Sequence, residues 1–336
     1  GHIPENGMLL RKQENHFKDL RIDLRNDRVT KLNVGTRSLT LESGDSLSYD
    51  RVLIATGSLP LQPPIPGIDL PGVHPCWTIE DARAIHKLAT KGSHALLIGA
   101  GFIGSIILNA LAECGVKMTV VEVENRMVPR MLDETAGTLL KKWCDRKGIR
   151  VATETKVESI EQDGKRLNVK LSNAETIGAD VVIVATGVRP RTEFLEGSGV
   201  KMDQGILVNS LMQSNVPEIY AAGDVAQGVD FSDGGQAVHP IQPTATEHGR
   251  IAALNMAGVP TRYQGSLIMN VLDTVGLVSY SFGQWMGVQG GEVAESVNEE
   301  SFRYLRLVLK EDRLVGAICL GHFEHVGILR GLIQSK

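Results

Sequence analysis

The sequence predicts an α/β protein built on a doubly wound parallel sheet and closed by a smaller C-terminal α+β region. Three observations carry this prediction: an apolar run ending in Ala-Thr-Gly occurs twice, a glycine-rich turn sits between a strand pattern and a helix pattern, and the texture of the chain changes after about Thr261.

The first apolar run is Tyr49-Asp50-Arg51-Val52-Leu53-Ile54-Ala55-Thr56-Gly57, and the second is Ala179-Asp180-Val181-Val182-Ile183-Val184-Ala185-Thr186-Gly187. Unbroken Val, Ile and Leu suit strands covered on both faces, as in a parallel sheet, and the Gly that follows lets the chain turn closely past a ligand. The pair suggests an internal duplication, although two similar buried strands would give the same pattern. The stretch 59–75 holds Pro60, Pro63, Pro64 and Pro66, which do not fit a central strand or a helix interior, so it reads as a crossing linker with a return after Gly187.

Between the repeats, 93–98 reads as a strand, 99–104 as a turn, 102–114 as a helix and 117–121 as the next strand. A helix over 134–146 and a strand near 150–153 extend this βαβ unit into a doubly wound sheet. Past Thr261, the apolar runs 305–309 and 314–320 flank a polar turn at 310–313, and a helix is expected from Glu324.

The turn Gly99-Ala100-Gly101-Phe102-Ile103-Gly104 matches GxGxxG, and its place after a strand and at the start of a helix gives the match its force. The first Gly permits the tight turn, the second lets a pyrophosphate approach the backbone, and the third lets the helix pack against the strand. Free amides at the helix N-terminus then hold the phosphates. Glu122 ends the next strand, where a carboxylate accepts from a ribose 2'-OH and repels a 2'-phosphate, which favours NADH over NADPH. No Arg directly follows it, and Arg126 lies four positions on. A third segment, Ile219-Tyr220-Ala221-Ala222-Gly223-Asp224-Val225, is a short apolar strand ending in Gly-Asp. Asp224 has two readings, an acceptor for a polyol or a cap for a helix near 243–257.

Composition narrows the classes. With 336 residues, 42% hydrophobic and 22% charged, the chain is long enough for two or three globular domains. A net charge of −4 and a pI near 6.2 supply no basic field for nucleic acid. The longest apolar stretch, 95–112, is interrupted by three glycines, Ser105 and Asn109, so it reads as strand, turn and helix and not as a membrane span. No charged n-region with an apolar h-region opens the sequence, and a cytoplasmic location is expected. Cys76, Cys114, Cys144 and Cys319 form no CxxC pair and read as reduced packing residues. His322 and His325 lie beside Glu324, but two His without further ligands read as a solvated pair, and no metal site is expected.

These segments in this order, Ala-Thr-Gly, GxGxxG with its acidic residue, a second Ala-Thr-Gly and then Gly-Asp, resemble the pyridine nucleotide-disulphide oxidoreductase superfamily over nearly the whole chain. Residues 220–226, Pro243-Thr244-Ala245 and 248–258 are most similar to its NADH:rubredoxin reductase and nitrite reductase flavoprotein branch. The resemblance implies two Rossmann-like doubly wound domains. An FAD-type domain, incomplete and discontinuous, would span 1–74 and 191–260, an NAD domain 75–190, and a small α+β domain 261–336. It implies an NADH-dependent FAD oxidoreductase feeding a rubredoxin-like or other iron-sulphur protein, or a partner reductase subunit. Gly99, Gly101, Phe102, Ile103, Gly104, Glu122 and Gly187 would serve NAD; Val29 (near the adenine), Thr56, Gly57, Gly223 and Asp224 (on the ribityl chain) would serve FAD.

Two departures from the family pattern stand out. The family's first GxGxxG, for the FAD pyrophosphate, does not occur before Val29, and a partner chain, a homodimer contact or reduced stability is the expected consequence. Ile106 stands where the family commonly has Glu, so the neighbourhood of nicotinamide and flavin loses a charge. The redox Cys pair of the disulphide reductases is not seen, and no side chain is assigned to catalysis. The alternative to an active oxidoreductase is an NAD-binding module, or a catalytically impaired remnant acting as a subunit or scaffold.

Overall fold

The computed structural model describes residues 5–8, 10–321, 324 and 326–335. Its centre is a parallel five-stranded sheet in the order Val73–Pro75, Val181–Val184, His94–Ile98, Lys117–Val121 and Arg150–Ala152. The chain runs outward from His94–Ile98 in one direction and returns to place Val181–Val184 on its other side. The strand order therefore reverses at His94–Ile98, the position at which an open α/β sheet forms a crevice beyond its strand ends.

The two faces of this sheet are covered differently. Helices Ile79–Leu88, Phe102–Glu113 and Glu134–Arg146 pack one face through Ile85, Leu108, Leu111, Leu139 and Leu140 against Leu97, Val120 and Ile183. Leu96, Val121 and Val182 face the opposite side, where an antiparallel sheet of Val157–Asp163, Arg166–Leu171 and Thr176–Ala179 supplies Ile160, Leu167, Val169 and Leu171. Nothing in the reading of the sequence anticipates that second layer.

Around this unit the chain forms a second α/β part. Val52–Ile54 pairs in parallel with Ile219–Ala221; both segments are strands as expected, and the pairing between them is supplied by the structure. Val29–Asn33, Ser38–Leu41 and Ser46–Ser48 form an antiparallel sheet over it, and helix Gln242–Met256 lies against the pair through Ile251 and Ala252. The linker 59–75 and its return are not loose: Ser58–Pro60 and Val188–Pro190 pair antiparallel, so both crossings run side by side. Before these elements, Leu20, Ile22 and Leu24 alternate with Arg21 and Asp23 along an exposed stretch.

The C-terminal part is an antiparallel sheet ordered Met269–Thr274, Leu277–Gly283, Arg313–Leu320, Arg303–Lys310 and Glu292–Asn298, followed by helix Val326–Gln334. The two apolar runs of the sequence fall inside its Arg303–Lys310 and Arg313–Leu320 strands. His322 and His325 lie outside the described residues. This sheet docks on the helical face of the central unit and shares its core through Leu272, Trp285 and Tyr304. Asn109 Nδ2 donates to the Asp273 carbonyl at 2.8 Å, and its Oδ1 accepts from the Val275 amide. Tyr304 donates its hydroxyl to Asp133 Oδ2 at 2.6 Å, while Asp133 Oδ1 caps helix Glu134–Arg146 by accepting from Ala136 at 2.9 Å.

The four cysteines are unpaired. Cys144 and Cys319 are buried packing residues, and burial pushes both thiols up to about 12. Cys114 departs from the packing expectation: it follows helix Phe102–Glu113 at an exposed position. Among the described residues no helix is long and apolar enough to cross a membrane, and no group of three or more His, Cys, Asp or Glu could hold a metal ion.

Candidate functional site

The three glycines of the GxGxxG turn sit in three different environments. Gly99 has φ +100°, and a Cβ there would lie 2.5 Å from the carbonyl oxygen of Ala185. A Cβ on Gly104 would lie 2.4 Å from the carbonyl oxygen of Gly99. Both positions are closed by the protein's own backbone. Gly101 differs: it is the N-cap of helix Phe102–Glu113, no side chain caps that helix, and a Cβ there would meet only open space. The first-turn amides are thus left free to receive an anion at the positive end of the helix.

Glu122 is buried at the rim of this turn, and its carboxylate is already engaged. Oε2 accepts from the Ala100 amide at 2.7 Å and Oε1 from the Glu124 amide at 3.0 Å. A carboxylate has about four acceptor positions, so these two bonds leave capacity for a ribose hydroxyl. They also give Glu122 a second role, fixing the loop, that the sequence does not reveal. Arg126 is spent elsewhere, donating to the carbonyls of Leu132 and Pro129. Phe102 and Ile106, one helical turn apart, expose 37% and 49% of their surfaces on the same helix, whereas Ile103 packs against the core.

The two Ala-Thr-Gly segments meet across the paired crossings in a reciprocal pattern. Thr56 donates its hydroxyl to the Arg191 carbonyl at 2.8 Å, and Thr186 donates to the Leu61 carbonyl at 3.0 Å. In return, the Arg191 amide donates to Gly57 at 3.0 Å and the Leu61 amide to Gly187 at 2.8 Å. Each repeat therefore holds the chain leaving the other with the same two bonds, which is how a duplicated element would pack. Gly57 and Gly187 have φ +65° and +113°, which L side chains rarely adopt.

Beside Gly57 opens a cleft of about 430 Å³, lined by Thr56, Gly57, Ser58, Trp77, Asp224 and Gly249 among others. Asp224 Oδ2 accepts from the Ser58 hydroxyl at 2.8 Å. Helix Gln242–Met256 has Ile241 at its N-cap with no side-chain cap, so the capping reading of Asp224 falls away. Gly223, with φ +76°, would place a Cβ 3.4 Å from the Ala245 Cβ, so the Gly-Asp turn lies close against that helix. The structure thus brings Thr56, Gly57, Gly223 and Asp224 to one cleft, and gathers Gly99, Gly101, Gly104 and Glu122 around the glycine turn. Val29 lies apart: it opens strand Val29–Asn33 opposite Leu41 and is not among the residues lining the cleft. Ser58 and Trp77 belong to the cleft without having been read from the sequence. Ser58 directly follows the first Ala-Thr-Gly, which is the one local signal that points to it.

Behind the cleft helix, His248 is 2% exposed with neither ring nitrogen hydrogen-bonded, and burial pushes it down to about 4, with nearby His239 adding to the effect.

The comparisons with known proteins agree with this fold. Residues 4–249 match the model of the pyridine nucleotide-disulphide oxidoreductases, and residues 269–336 match that of the rubredoxin NAD+ reductase C-terminal domain. The chain is 32% identical to the NADH-dependent phenylglyoxylate dehydrogenase subunit epsilon of Aromatoleum evansii, covering 91% of this chain and 73% of that protein. It is 25% identical to the NADH-rubredoxin oxidoreductase of Clostridium acetobutylicum, covering 98% and 81%. Of the Bacillus subtilis nitrite reductase, 28% identical, it spans 38% of the length. Among solved structures, an NAD-dependent persulfide reductase from A. fulgidus superposes with a TM-score of 0.85 at 29% identity, over 96% of this chain and 65% of that one. The chain belongs to the pyridine nucleotide-disulphide oxidoreductase family, whose members bind NADH and FAD.

Proposed function

We propose that this chain is an NADH-dependent FAD oxidoreductase that passes electrons to a small redox protein, such as a rubredoxin-like or other iron-sulphur acceptor, or to a partner reductase subunit. The observation that carries the reading is the convergence of the glycine turn and the Asp224 cleft at the paired crossings. Pro75, Val184, Ile98 and Val121 stand level across the central sheet, so the glycine turn, residues 185–187 and the start of the cleft share one edge.

The residues present fit the pyrophosphate and ribose of NADH and the ribityl side of FAD, while the residues before Val29 hold no GxGxxG for the FAD pyrophosphate. The open face of Gly101 and the uncapped first turn of helix Phe102–Glu113 accommodate a pyrophosphate, and the buried Glu122 carboxylate offers acceptors to a ribose diol. With Arg126 turned into its own loop, Glu122 disfavours a 2'-phosphate and hence NADPH. Gly187 continues this edge towards the nicotinamide. In the cleft, Asp224 would accept from the ribityl hydroxyls while Ser58 holds its other oxygen, and Thr56, Gly57 and Gly223 let the backbone come close to FAD. Val29 would approach the adenine from the outer strand. Bound FAD supplies the hydride acceptor and releases electrons singly or in pairs. Phe102 and Ile106 present apolar surface beside the glycine turn, which lowers the water content of the crevice without holding a proton.

Ile106 also favours a second reading, a nucleotide-binding subunit with impaired turnover, because it puts no charge or hydrogen bond where the crevice would receive nicotinamide. Visible absorption of the purified chain with added FAD, followed by anaerobic NADH, separates the two. Flavin bands that bleach support the oxidoreductase, and retained FAD that NADH leaves oxidised supports the impaired subunit.

A further inference from the structure

The chain has three tryptophans, of which Trp77 is the most exposed. Trp285 is buried, and Trp143 donates its Nε1 proton to the Val275 carbonyl at 3.1 Å with its ring edge-on to Phe302. Trp77 is 41% exposed. A single exposed aromatic needs no explanation by itself. Its position does: Trp77 follows strand Val73–Pro75 of the NAD-type sheet by two residues, yet lines the cleft of Thr56, Gly57, Ser58 and Asp224 in the other part of the molecule.

The backbone of Trp77 is held firmly. Its amide donates to Asp81 Oδ2 at 3.1 Å, and the same oxygen accepts from the Thr78 amide at 2.8 Å. Thr78 Oγ1 accepts in turn from the Asp81 amide at 3.2 Å, completing a capping box that starts helix Ile79–Leu88. A hydrophobic residue just before an N-cap often packs on the fourth helical residue. That residue here is Ala82, one methyl group that stays exposed, so the helix does not use up the indole surface. An indole on a fixed backbone, left open at the wall of a cleft, is placed to receive a flat ring.

Resting on the flavoprotein reading above, we propose that Trp77 is a positioning residue of the redox cleft, its indole forming the aromatic wall against which the isoalloxazine ring of FAD rests.

Offset stacking between two aromatic systems corresponds to roughly a tenfold gain in affinity. The test is a titration of the full chain with FAD, read in parallel by ultrafiltration of free FAD and by tryptophan emission, for the wild type, Trp77→Phe and Trp77→Ala. The emission that separates wild type from Trp77→Phe isolates the Trp77 signal. The proposal expects that signal to be extinguished at one equivalent of FAD, Trp77→Ala to bind FAD roughly tenfold more weakly, and Trp77→Phe to recover most of the affinity. Retained Trp77 emission with equal FAD affinity in all three proteins overturns the proposal and leaves the flavoprotein reading standing. Failure of the wild type to retain FAD in the ultrafiltration overturns both. Should Trp77→Ala not fold, as judged by its unfolding transition, Trp77→Leu takes its place, and an FAD affinity equal to that of the wild type overturns the proposal.

Discussion

Alanine placed in turn at Gly99, Gly101 and Gly104 should separate ligand binding from folding at the glycine turn. At Gly101 the backbone is extended, with φ −75° and ψ −169°, and the added methyl meets open space, so Gly101→Ala changes stability by only about 0.5–1 kcal/mol, the difference between Gly and Ala at an N-cap. The same methyl occupies the approach of the pyrophosphate. Overpacking of this kind costs about 1–3 kcal/mol, so NADH affinity falls by roughly 5- to 150-fold. At Gly104 the order reverses. A Cβ 2.4 Å from the Gly99 carbonyl oxygen forces the helix off its strand, and the folded state loses about 2–3 kcal/mol. Gly99→Ala combines a 2.5 Å approach to the Ala185 carbonyl with φ +100° and is the most destabilising of the three. Denaturant unfolding of the ligand-free proteins and calorimetric titration with NADH measure the two quantities separately. Undiminished NADH binding by Gly101→Ala, or wild-type stability of Gly104→Ala, would refute the division of labour among these glycines.

Further predictions follow from contacts elsewhere. Tyr304→Phe removes the hydroxyl donated to Asp133 and should lower stability by about 2 kcal/mol, the value of a hydrogen bond to a charged group, as read from the denaturation midpoint; an unchanged midpoint would mean that this bond does not hold the C-terminal sheet and that the Asn109 bonds and apolar packing do. Asp224→Ala should lose retained FAD on gel filtration while NADH binding persists, and equal loss of both would show a folding defect instead. His248, pushed down to about 4 by burial, binds its proton more weakly folded than unfolded. Its contribution is therefore fully present above the unfolded value near 6.5 and is lost as pH falls through about 4, up to about 3 kcal/mol in total. His248→Phe should flatten that part of the stability profile between pH 6.5 and 4, and an unchanged slope would assign it to other groups. Glu122→Ser should lose NADH affinity and also destabilise the turn, since the Ala100 amide is left without its acceptor.

The parts of the fold legible in the sequence are those whose local pattern and burial agree. Lys117–Val121 and Glu134–Arg146 have the bounds expected of them, because a short, largely β-branched run buried after Lys117 matches an inner strand and helical spacing matches a helix with one face on that sheet. The antiparallel layer over 157–179 is not legible. A register shift between Val157 and Ser159 breaks its alternation, and charged residues such as Glu158, Glu161 and Lys170 point away from the sheet it covers. Glu292–Asn298 is exposed at every position and carries no burial pattern to read. The same limit governs the site. The glycine turn is local, so its residues can be named in advance, whereas Ser58 meets Asp224 from 166 residues away and Trp77 enters the cleft from the neighbouring sheet. The threonines of the repeats show the converse: the motif is legible, but their hydroxyls hold the crossings together, a role set by the partner repeat.

The central claim is that nicotinamide and flavin meet in one crevice at the paired crossings, close enough for direct hydride transfer. Anaerobic stopped-flow reduction of the FAD-loaded chain with NADH deuterated at one or the other face of C4 tests it most directly. The account predicts that flavin absorbance bleaches with a primary isotope effect for one face only. Bleaching with no isotope effect for either label under conditions where reduction itself limits the rate, or NADH binding without any bleaching, would contradict it.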